Sequence, residues 1–179
     1  MQLSCFDEAC PQVQVSASLT LHSHRWLARF EIVDSAEAVR WPAQAAAART
    51  DHLWEHTCLE MFVGSARGTS YFEINAGPHG PWNVYRFGQY RQENDHEPLA
   101  AAIVVGHVDS GIERTRAFDV GVQWLADPPL DPDLALVSLT AVVELKPGRC
   151  TYFAASHGQK PDFHDRRHWL PLLQWSAAR

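Results

Sequence analysis

The sequence predicts an all-β protein, a two-sheet antiparallel β-sandwich of about nine or more strands. Three observations support this fold. Many short segments alternate apolar and polar side chains, turns containing Gly, Pro or Asp separate them, and apolar residues hardly ever recur at helical spacing. At 179 residues, 46% of them hydrophobic, the chain is long enough for one core and short for two, so we expect a single domain over residues 1–179.

The first elements are predicted to form a β-hairpin. Residues 13–21 alternate apolar and polar side chains, and residues 25–33 repeat the pattern after a short His-Ser-His turn. Residues 34–50 break the alternation and are interpreted as a loop, because Pro42 leaves room only for a short helix beyond it.

The strands that follow begin with a meander of three. Gly-containing segments of turn length separate these three, and a Pro-rich stretch at residues 127–132 marks a firm break among the later ones. The predicted strands are residues 58–63, 70–75, 82–87, 101–108, 112–124, 134–145 and 150–156. Short strands at this spacing favour a sandwich or a barrel over an α/β fold.

Composition and charge narrow the partners and the compartment. The formal net charge is -6, and no basic run is long enough to follow a phosphate backbone, so we expect no nucleic-acid partner. The N-terminus is acidic where a signal peptide would be basic and then apolar, and no stretch reaches the length of a membrane span. We therefore expect a soluble cytoplasmic protein without a membrane partner.

The cysteine and histidine patterns indicate neither a metal site nor a catalytic site. The four cysteines include no CxxC pair and are interpreted as free thiols, with Cys58 and Cys150 in apolar strands. Histidine pairs four residues apart, such as His164 and His168, share a face only on a helix, which these segments do not resemble. With no HExxH or GxSxG motif, we predict no catalytic residue, no metal ligand and no cofactor.

The richest candidate region for ligand binding is residues 51–91, where charged and aromatic residues interleave. If the first two strands of the meander pair, Glu60 and Glu73 can meet across the sheet. A carboxylate, an arginine and an aromatic ring together suit a sugar, because its hydroxyls need donors and acceptors while its CH face stacks on an indole. Glu60, Arg86 and Trp54 supply these three groups.

Other interpretations of the same residues stay open. Glu60 and Arg86 can form an ordinary cross-strand ion pair while Trp54 caps the core. Two carboxylates on neighbouring strands can also be the acid and nucleophile of a glycosidase, although nothing local in the sequence raises the pKa of either. The segment at residues 160–173 can close over the end of the sheet and contact a ligand, or can be a terminal strand with Trp169 packed on the core.

Three segments, residues 54–63, 71–75 and 80–87, resemble the DOMON-like domains related to carbohydrate-binding module family 9. Those domains have a Trp before an acidic strand, a second strand with a Tyr–Glu–Asn pattern, and a Gly turn followed by aromatic residues. The residues that fit are Trp54, Glu60, Phe62, Tyr71, Glu73, Asn75, Gly80 and Arg86. The resemblance covers about forty residues closely, and it implies a β-sandwich.

The resemblance also implies a noncatalytic domain that binds a sugar or a sugar derivative. In the sugar-binding relatives two tryptophans hold a terminal sugar while a Glu and an Arg bind its hydroxyls. Trp54, Glu60 and Arg86 match three of these positions, and Trp169 is the candidate for the second Trp. The predicted ligand-binding residues are Trp54, Glu60, Glu73, Asn75, Arg86, Tyr90 and Trp169.

Two alternatives remain for the function. Other members of the same superfamily bind haem b through Met and His, and Met61 is the only internal methionine of this chain. As the neighbour of Glu60 in a strand, Met61 is expected to point the other way, into the core. The second alternative is a protein-interaction module whose exposed aromatic residues contact a protein partner.

Overall fold

The structure is a computed structural model that describes residues 1–7, 12–22, 25–93, 101–109, 114–124 and 130–175, with only the backbone described at 93 and 101–109. The predicted break at residues 127–132 and the turn of the first hairpin lie partly outside these ranges. Cys10 lies wholly outside them.

The regular secondary structure of the described residues is almost entirely β-strand. Their strands are β1 Gln2–Cys5, β2 Val13–His22, β3 Arg25–Asp34, β4 Cys58–Ser65, β5 Tyr71–Ala76, β6 Trp82–Gln89, β7 Gln92–Glu93, β8 Ala101–Asp109, β9 Thr115–Trp124, β10 Ala135–Leu145, β11 Arg149–Ala154 and β12 Leu170–Pro171. The helices in the same ranges are three single 3-10 turns, at Leu53–Glu55, Arg166–His168 and Leu172–Gln174. Within this part of the chain no helix has the length and apolar character needed to cross a membrane.

Strand β1 joins two antiparallel sheets into one hydrogen-bonded series. Its first half pairs with β2 and its second half with β11. The strand order is β7-β6-β5-β4-β10-β11-β1-β2-β3-β9-β8, with β12 paired to β10. We call β2, β3, β8 and β9 the first sheet, and β4 to β7 with β10 to β12 the second sheet. The predicted sandwich, the β2–β3 hairpin and the β4–β6 meander are confirmed.

The two sheets face each other across an apolar core. Buried and more exposed residues alternate along β2 and β3, as the sequence pattern predicts. Phe72 of β5 meets Trp124 of β9 between the sheets, with ring centroids 5.6 Å apart. Each large apolar side chain fully buried in such a core contributes about 1.5–3 kcal/mol relative to an exposed one. This interior therefore supplies the main driving force for the fold.

The loop predicted over residues 34–50 is confirmed, and it contains no helix. It runs beside Gly80, whose φ of +123° lies in a region of backbone conformation that glycine adopts readily and other residues rarely adopt. A Cβ at Gly80 would lie 2.9 Å from the carbonyl oxygen of Ala45, so any other residue would push the loop away. The loop leads directly into the 3-10 turn Leu53–Glu55, which contacts β4 and β5.

The second sheet is buried on both of its faces. In β4 the residues Leu59 and Met61 join the sandwich core, which confirms the predicted direction of Met61. Their neighbours Glu60 and Phe62 point to the outer face, yet they are only 3% and 1% exposed. The cover over this outer face comes from residues 160–169, which we call the strap.

Candidate functional site

A cavity of about 330 Å³ lies on the outer face of the second sheet, away from the sandwich core. Among the described residues, the aromatic side chains that line it are Trp54, Phe62, Tyr85, Phe87, Tyr152 and Phe163. The charged or titratable groups in the same lining are Glu60, Glu73, Arg91 and His164. The volume is at the low end of the range of about 300–1,000 Å³ for small-molecule sites. It suits a ligand of one or two rings.

The register of three neighbouring strands builds the cavity floor. Phe62 of β4 pairs with Glu73 of β5, and Glu73 pairs in turn with Tyr85 of β6. One row further along, Glu60 pairs with Asn75. Side chains two residues apart in a strand share a face, so all five point outward together. Glu60 and Glu73 are therefore diagonal neighbours on the floor.

The aromatic side of the cavity combines one exposed ring with several buried ones. Trp54 is 39% exposed, whereas Tyr85 and Phe87 are 8% and 7% exposed. The rings of Trp54 and Tyr85 meet edge to face at 5.8 Å. Phe87 stacks on Tyr71 at 4.8 Å with an interplanar angle of 9°. Trp54 thus presents an accessible indole backed by rings that are already packed.

A partly buried polar network fixes the turn that carries Trp54. The Tyr85 hydroxyl donates to Asp51 Oδ1 at 2.9 Å, and Asn83 Nδ2 donates to the same oxygen at 2.7 Å. Asn83 Nδ2 also reaches the Thr50 carbonyl at 3.3 Å. Because β6 is rigid within the sheet, these bonds hold the chain just before Trp54 against the cavity floor.

The strap is anchored to the sheet by Arg166 and Trp169. Arg166 donates to the backbone carbonyls of Ser65 and Gly68, and its guanidinium lies 5.2 Å from the ring centroid of Trp169. Trp169 is 5% exposed and packs 5.7 Å from Phe62. Both interpretations of the C-terminal segment find a counterpart: Phe163 and His164 of the strap line the cavity, whereas Leu170–Pro171 forms strand β12 and Leu172 packs in the core.

His164 of the strap completes a hydrogen-bond chain on the cavity side. Tyr71 Oη accepts from the Arg91 backbone N–H at 3.1 Å, and its own proton points to His164 Nδ1 at 2.7 Å. Burial raises the pKa of Tyr71 to about 12, so this phenol keeps its proton. The imidazole proton then resides on Nε2, which lies 3.4 Å from Glu73 Oε2. Burial, with the charge of Arg91, lowers the pKa of His164 to about 4, so the ring is neutral near pH 7.

The carboxyl group of Glu60 is buried and has little contact with solvent. Its Oε2 accepts from Thr140 Oγ1 at 3.2 Å. Burial and the nearby charge of Glu73 raise the pKa of Glu60 well above its usual range, and the hydrogen bond from Thr140 offsets only part of this effect. Glu60 is therefore a carboxyl group that resists ionisation.

Glu73 is oriented by Asn75, its neighbour on the same face of β5. Asn75 Nδ2 donates to Glu73 Oε1 at 2.8 Å. Asn75 itself is 0% exposed and does not line the cavity. Asn75 therefore acts on the cavity through its hydrogen bond to Glu73.

An ion pair marks the rim where β6 ends. Arg91 follows in a left-handed conformation with φ 54, and its guanidinium donates to Asp162 Oδ1 of the strap at 2.8 Å. The hydroxyl of Tyr90 donates to the other carboxylate oxygen of Asp162. Arg91 thus lines the cavity and ties the strap to the sheet at the same time.

The predicted ligand-binding residues are divided by the structure. The cavity lining contains Trp54, Glu60 and Glu73 and excludes Asn75, Arg86, Tyr90 and Trp169. Tyr90 is 59% exposed at the rim, where its hydroxyl is used by the strap. The pairing that sequence reasoning gave for Glu60 and Glu73 is thus present, but the wall around them is made by other residues.

The predictions for Arg86 and Trp169 need correction. Arg86 lies one residue from Tyr85 in β6 and so points to the opposite face, where its guanidinium is 6.0 Å from the ring of Phe72. The arginine in the cavity lining is Arg91. Trp169 is buried against Phe62 and Tyr71 as the anchor of the strap and is outside the cavity lining, so it does not offer a second stacking surface.

The lining residues that sequence reasoning missed fall into two kinds. Tyr85 and Phe87 share one face of β6 with Asn83, but the other face is apolar as well, so the period alone does not indicate which face lines the cavity. Phe163 and His164 lie in a segment without regular structure, so no local pattern indicates where they pack. Only the long-range contacts of the strap bring them to the sheet.

Ligation of a haem by Met61 and a cavity histidine does not fit this arrangement. Met61 is 1% exposed and packs in the sandwich core, whereas His164 is on the outer side of the same sheet. Axial ligands must approach one iron atom from two sides of a single cavity. Among the described residues, no group of three or more His, Cys, Asp or Glu side chains is arranged to hold a metal ion.

The fold and the cavity define a class: an antiparallel β-sandwich with an aromatic cavity that has carboxyl groups on its floor. No family model matches the sequence, and no curated protein matches it. The fold is similar to the crystal structure of a putative carbohydrate-binding protein from Bacteroides uniformis ATCC 8492, with a TM-score of 0.59 at 13% sequence identity. The alignment covers 88% of this chain and 76% of that chain, and it supports the fold.

Proposed function

We propose that this chain is a noncatalytic binding protein that holds a small carbohydrate or carbohydrate derivative in the outer cavity of the second sheet. The observation that carries the proposal is the combination of the exposed Trp54 indole with the buried carboxyls of Glu60 and Glu73 in one cavity. A sugar needs both surfaces, because its CH face is apolar and its rim of hydroxyls is polar.

The similar solved structure adds independent support. That protein is described as a putative carbohydrate-binding protein, and this chain shares its fold over most of its length. A shared fold does not by itself transfer a function, so the argument rests on the cavity residues, with the similarity as an additional reason. Binding without turnover is the simpler expectation, since the sequence contains no recognised catalytic motif.

A relation to the DOMON-like domains that resemble carbohydrate-binding module family 9 is part of the same proposal. It is supported by Trp54, Glu60 and Glu73, which fit the family pattern and line one cavity. Arg86 and Trp169 depart from it, because neither lines the cavity. If the relation holds, Arg91 has taken over the place of the family arginine.

The test is a titration of the intrinsic tryptophan fluorescence with mono- and disaccharides. One ring stack and a few hydrogen bonds support dissociation constants of about micromolar to millimolar. We expect a saturable change that Trp54→Ala abolishes. The matched control is Trp41→Ala, because Trp41 packs on Phe118 and Arg116 of the first sheet, away from the cavity.

Two outcomes would reject the proposal. The first is an affinity that is unchanged in Trp54→Ala, and the second is the absence of any saturable change across the panel. Turnover of chromogenic glycosides that disappears in Glu60→Gln would replace binding by hydrolysis as the function of the same cavity.

A further inference from the structure

A row of polar side chains crosses four strands of the second sheet on its outer face. Thr140 of β10 is paired with Glu60 of β4. Glu60 is paired on its other side with Asn75 of β5, and Asn75 is paired in turn with Asn83 of β6. Residues directly opposite each other on neighbouring strands share a face, and all four of these side chains are buried. Their polar atoms therefore need hydrogen-bond partners within the protein.

One atom in this row lacks such a partner. Asn75 Nδ2 donates to Glu73 Oε1 at 2.8 Å, but the buried Asn75 Oδ1 has no donor among the described residues. Asn83, the neighbour in β6, does not supply one. Its Nδ2 hydrogens are directed to Asp51 Oδ1 at 2.7 Å and to the Tyr85 hydroxyl at 2.9 Å. Because a buried acceptor without a donor is destabilising, the neighbour on the other side of Asn75 becomes important.

That neighbour is Glu60, and an amide between two carboxyl groups can bond to both only if one carboxyl is protonated. The amide offers a donor and an acceptor, whereas an ionised carboxylate offers acceptors alone. Asn75 donates to Glu73, so a carboxyl that bonds to Asn75 Oδ1 has to bring a proton. Paired residues have Cβ atoms about 4.5–5.5 Å apart, within reach of a Glu side chain. The register therefore favours a protonated Glu60.

The surroundings of Glu60 favour the same protonation state. Burial is the largest cause that raises its pKa well above the usual range, and the charge of Glu73 adds to it. The hydrogen bond from Thr140 and the charge of Arg91 act in the opposite direction with a smaller effect. Burial lowers the pKa of His164 to about 4, so this ring adds no positive charge near pH 7. The other titratable side chains on this face have pKa values raised by burial and stay neutral near pH 7, namely Cys58, Tyr71, Tyr85 and Tyr152.

We infer that Glu60 donates a hydrogen bond to Asn75 Oδ1 and thereby acts as a positioning residue for Glu73. Thr140 donates to Glu60 at 3.2 Å and Asn75 donates to Glu73 at 2.8 Å, so the inferred bond joins two observed ones into a single chain. This chain fixes the Asn75 amide and, through it, the Glu73 carboxyl in the cavity lining. Its consequence for ligand binding rests on the proposed function, because it concerns the same cavity.

The first experiment is ¹³C NMR of the full chain, without ligand, labelled at the side-chain carboxyl carbon of glutamate. At pH 6.5 an ordinary glutamate, with a pKa of about 4.3, is ionised. We expect one signal with the chemical shift of a protonated carboxyl at this pH, and Glu60→Gln should remove it. Glu144→Gln is the matched control, because Glu144 is also buried but is paired with Arg40 at 3.0 Å and His56 at 2.9 Å. This control should leave the protonated signal in place.

A second variant tests the acceptor. Asn75→Leu removes Asn75 Oδ1, so the Glu60 acid loses its acceptor and the chemical shift of its carboxyl carbon should change. If Asn75→Leu does not fold, Asn75→Ala allows the same comparison. An unchanged Glu60 signal would overturn the inference, because the proton would then be bonded elsewhere.

Sugar binding tests the positioning role, with the tryptophan fluorescence titration as the measurement. Glu60→Leu removes the donor and should weaken binding at least about tenfold, as expected for the loss of a hydrogen bond to a buried polar group. Glu60→Gln keeps an acceptor for Thr140 and brings an N–H donor for Asn75, so it should restore most of the lost affinity. If Glu60→Gln binds as weakly as Glu60→Leu, or does not fold, the charge of the carboxylate is required and the inference is overturned.

The outcomes separate this inference from the proposed function. A Glu60 carboxyl with the chemical shift of an ionised group at pH 6.5 would overturn the inference even if sugars bind. A protonated signal that disappears in Glu73→Gln and persists in Glu60→Gln would also overturn it, because the proton would belong to Glu73. A protonated Glu60 that responds to Asn75→Leu, in a protein that binds no saccharide of the panel, would support the hydrogen bond and reject the proposed function.

Discussion

The two faces of the second sheet are built from the same strands but have different roles. On the inner face, Leu59 of β4 and Leu139 of β10 are fully buried in an apolar core. On the outer face, Glu60 and Glu73 are nearly as buried, but they lie among aromatic rings around a cavity. Equal burial thus accompanies two kinds of chemistry, one that stabilises the fold and one that keeps polar groups in a poorly solvated place.

The difference shows which face destabilises the fold and which face stabilises it. A buried acid such as Glu60 is costly, and a well-packed apolar residue in its place would be neutral or stabilising. The inner face contributes the stability that offsets this cost. Changes on the inner face should therefore act on folding, and changes on the outer face should act mainly on ligand binding.

The largest expected effect is on the inner face. Leu139→Ala removes a side chain with 0% exposure and leaves a cavity in the core, which should cost about 3–5 kcal/mol of unfolding free energy. Chemical denaturation measures this loss. Leu173→Ala is the control, because Leu173 is 65% exposed and should change the free energy by about 0.5 kcal/mol or less. A loss in Leu139→Ala below 1 kcal/mol, as an order of magnitude, would contradict the packing of this core.

The second effect concerns His164 at acid pH. Its pKa is about 4 in the folded protein and near the usual 6.5 when unfolded, so the unfolded state binds the proton first as pH falls. The unfolding free energy therefore has its full value, as far as His164 is concerned, above pH 6.5, and it decreases as the pH falls from 6.5 to 4. At about 1.4 kcal/mol per unit of pKa, the loss amounts to about 3 kcal/mol.

The measurement for His164 is the unfolding free energy as a function of pH. Glu60 contributes with the opposite sign, because its raised pKa makes stability fall as pH rises above about 4.5. The difference between the protein and His164→Gln isolates the histidine. The exposed His22 provides the control, because His22→Gln should lose as much unfolding free energy between pH 6.5 and 4 as the unchanged protein. If His164→Gln loses as much unfolding free energy between pH 6.5 and 4 as the unchanged protein, the described burial of His164 under the strap is contradicted.

The smallest effect tests how closely the strap approaches the sheet. A Cβ at Gly64 would lie 3.0 Å from Tyr71 Cβ and 3.2 Å from Arg166 Nη2. Gly64→Ala should therefore cost about 1 kcal/mol and increase hydrogen exchange in the strap. Gly68→Ala is the control, since nothing lies within 4 Å of a Cβ there. Unchanged exchange in the strap of Gly64→Ala would show that this contact is unimportant.

Much of the fold was predictable because the strands alternate strictly. The pattern in residues 13–33 defines the first hairpin and its buried face, and Gly-containing turns separate the meander strands. The position of Met61 followed from the same rule, since it neighbours Glu60 in β4. These features depend only on local spacing.

The candidate site was predictable only in part, because it depends on nonlocal packing. Trp54, Glu60 and Glu73 were found from their residue types and spacing. Arg86 was placed on the wrong face because β6 is apolar on both faces, so its composition does not reveal which set faces the cavity. His164 was missed because its position depends on the strap, which contacts strands about a hundred residues earlier in the chain.

The most direct test of the two-face account is the indole N–H spectrum of the ¹⁵N-labelled protein during titration with mono- and disaccharides. Trp54 lines the cavity, while Trp26 and Trp124 pack against each other in the core. The account predicts that the Trp54 indole signal shifts in a saturable way while those of Trp26 and Trp124 stay within the line width. Shifts confined to Trp26 or Trp124, or a Trp54 signal unmoved by every sugar at millimolar concentration, would contradict it.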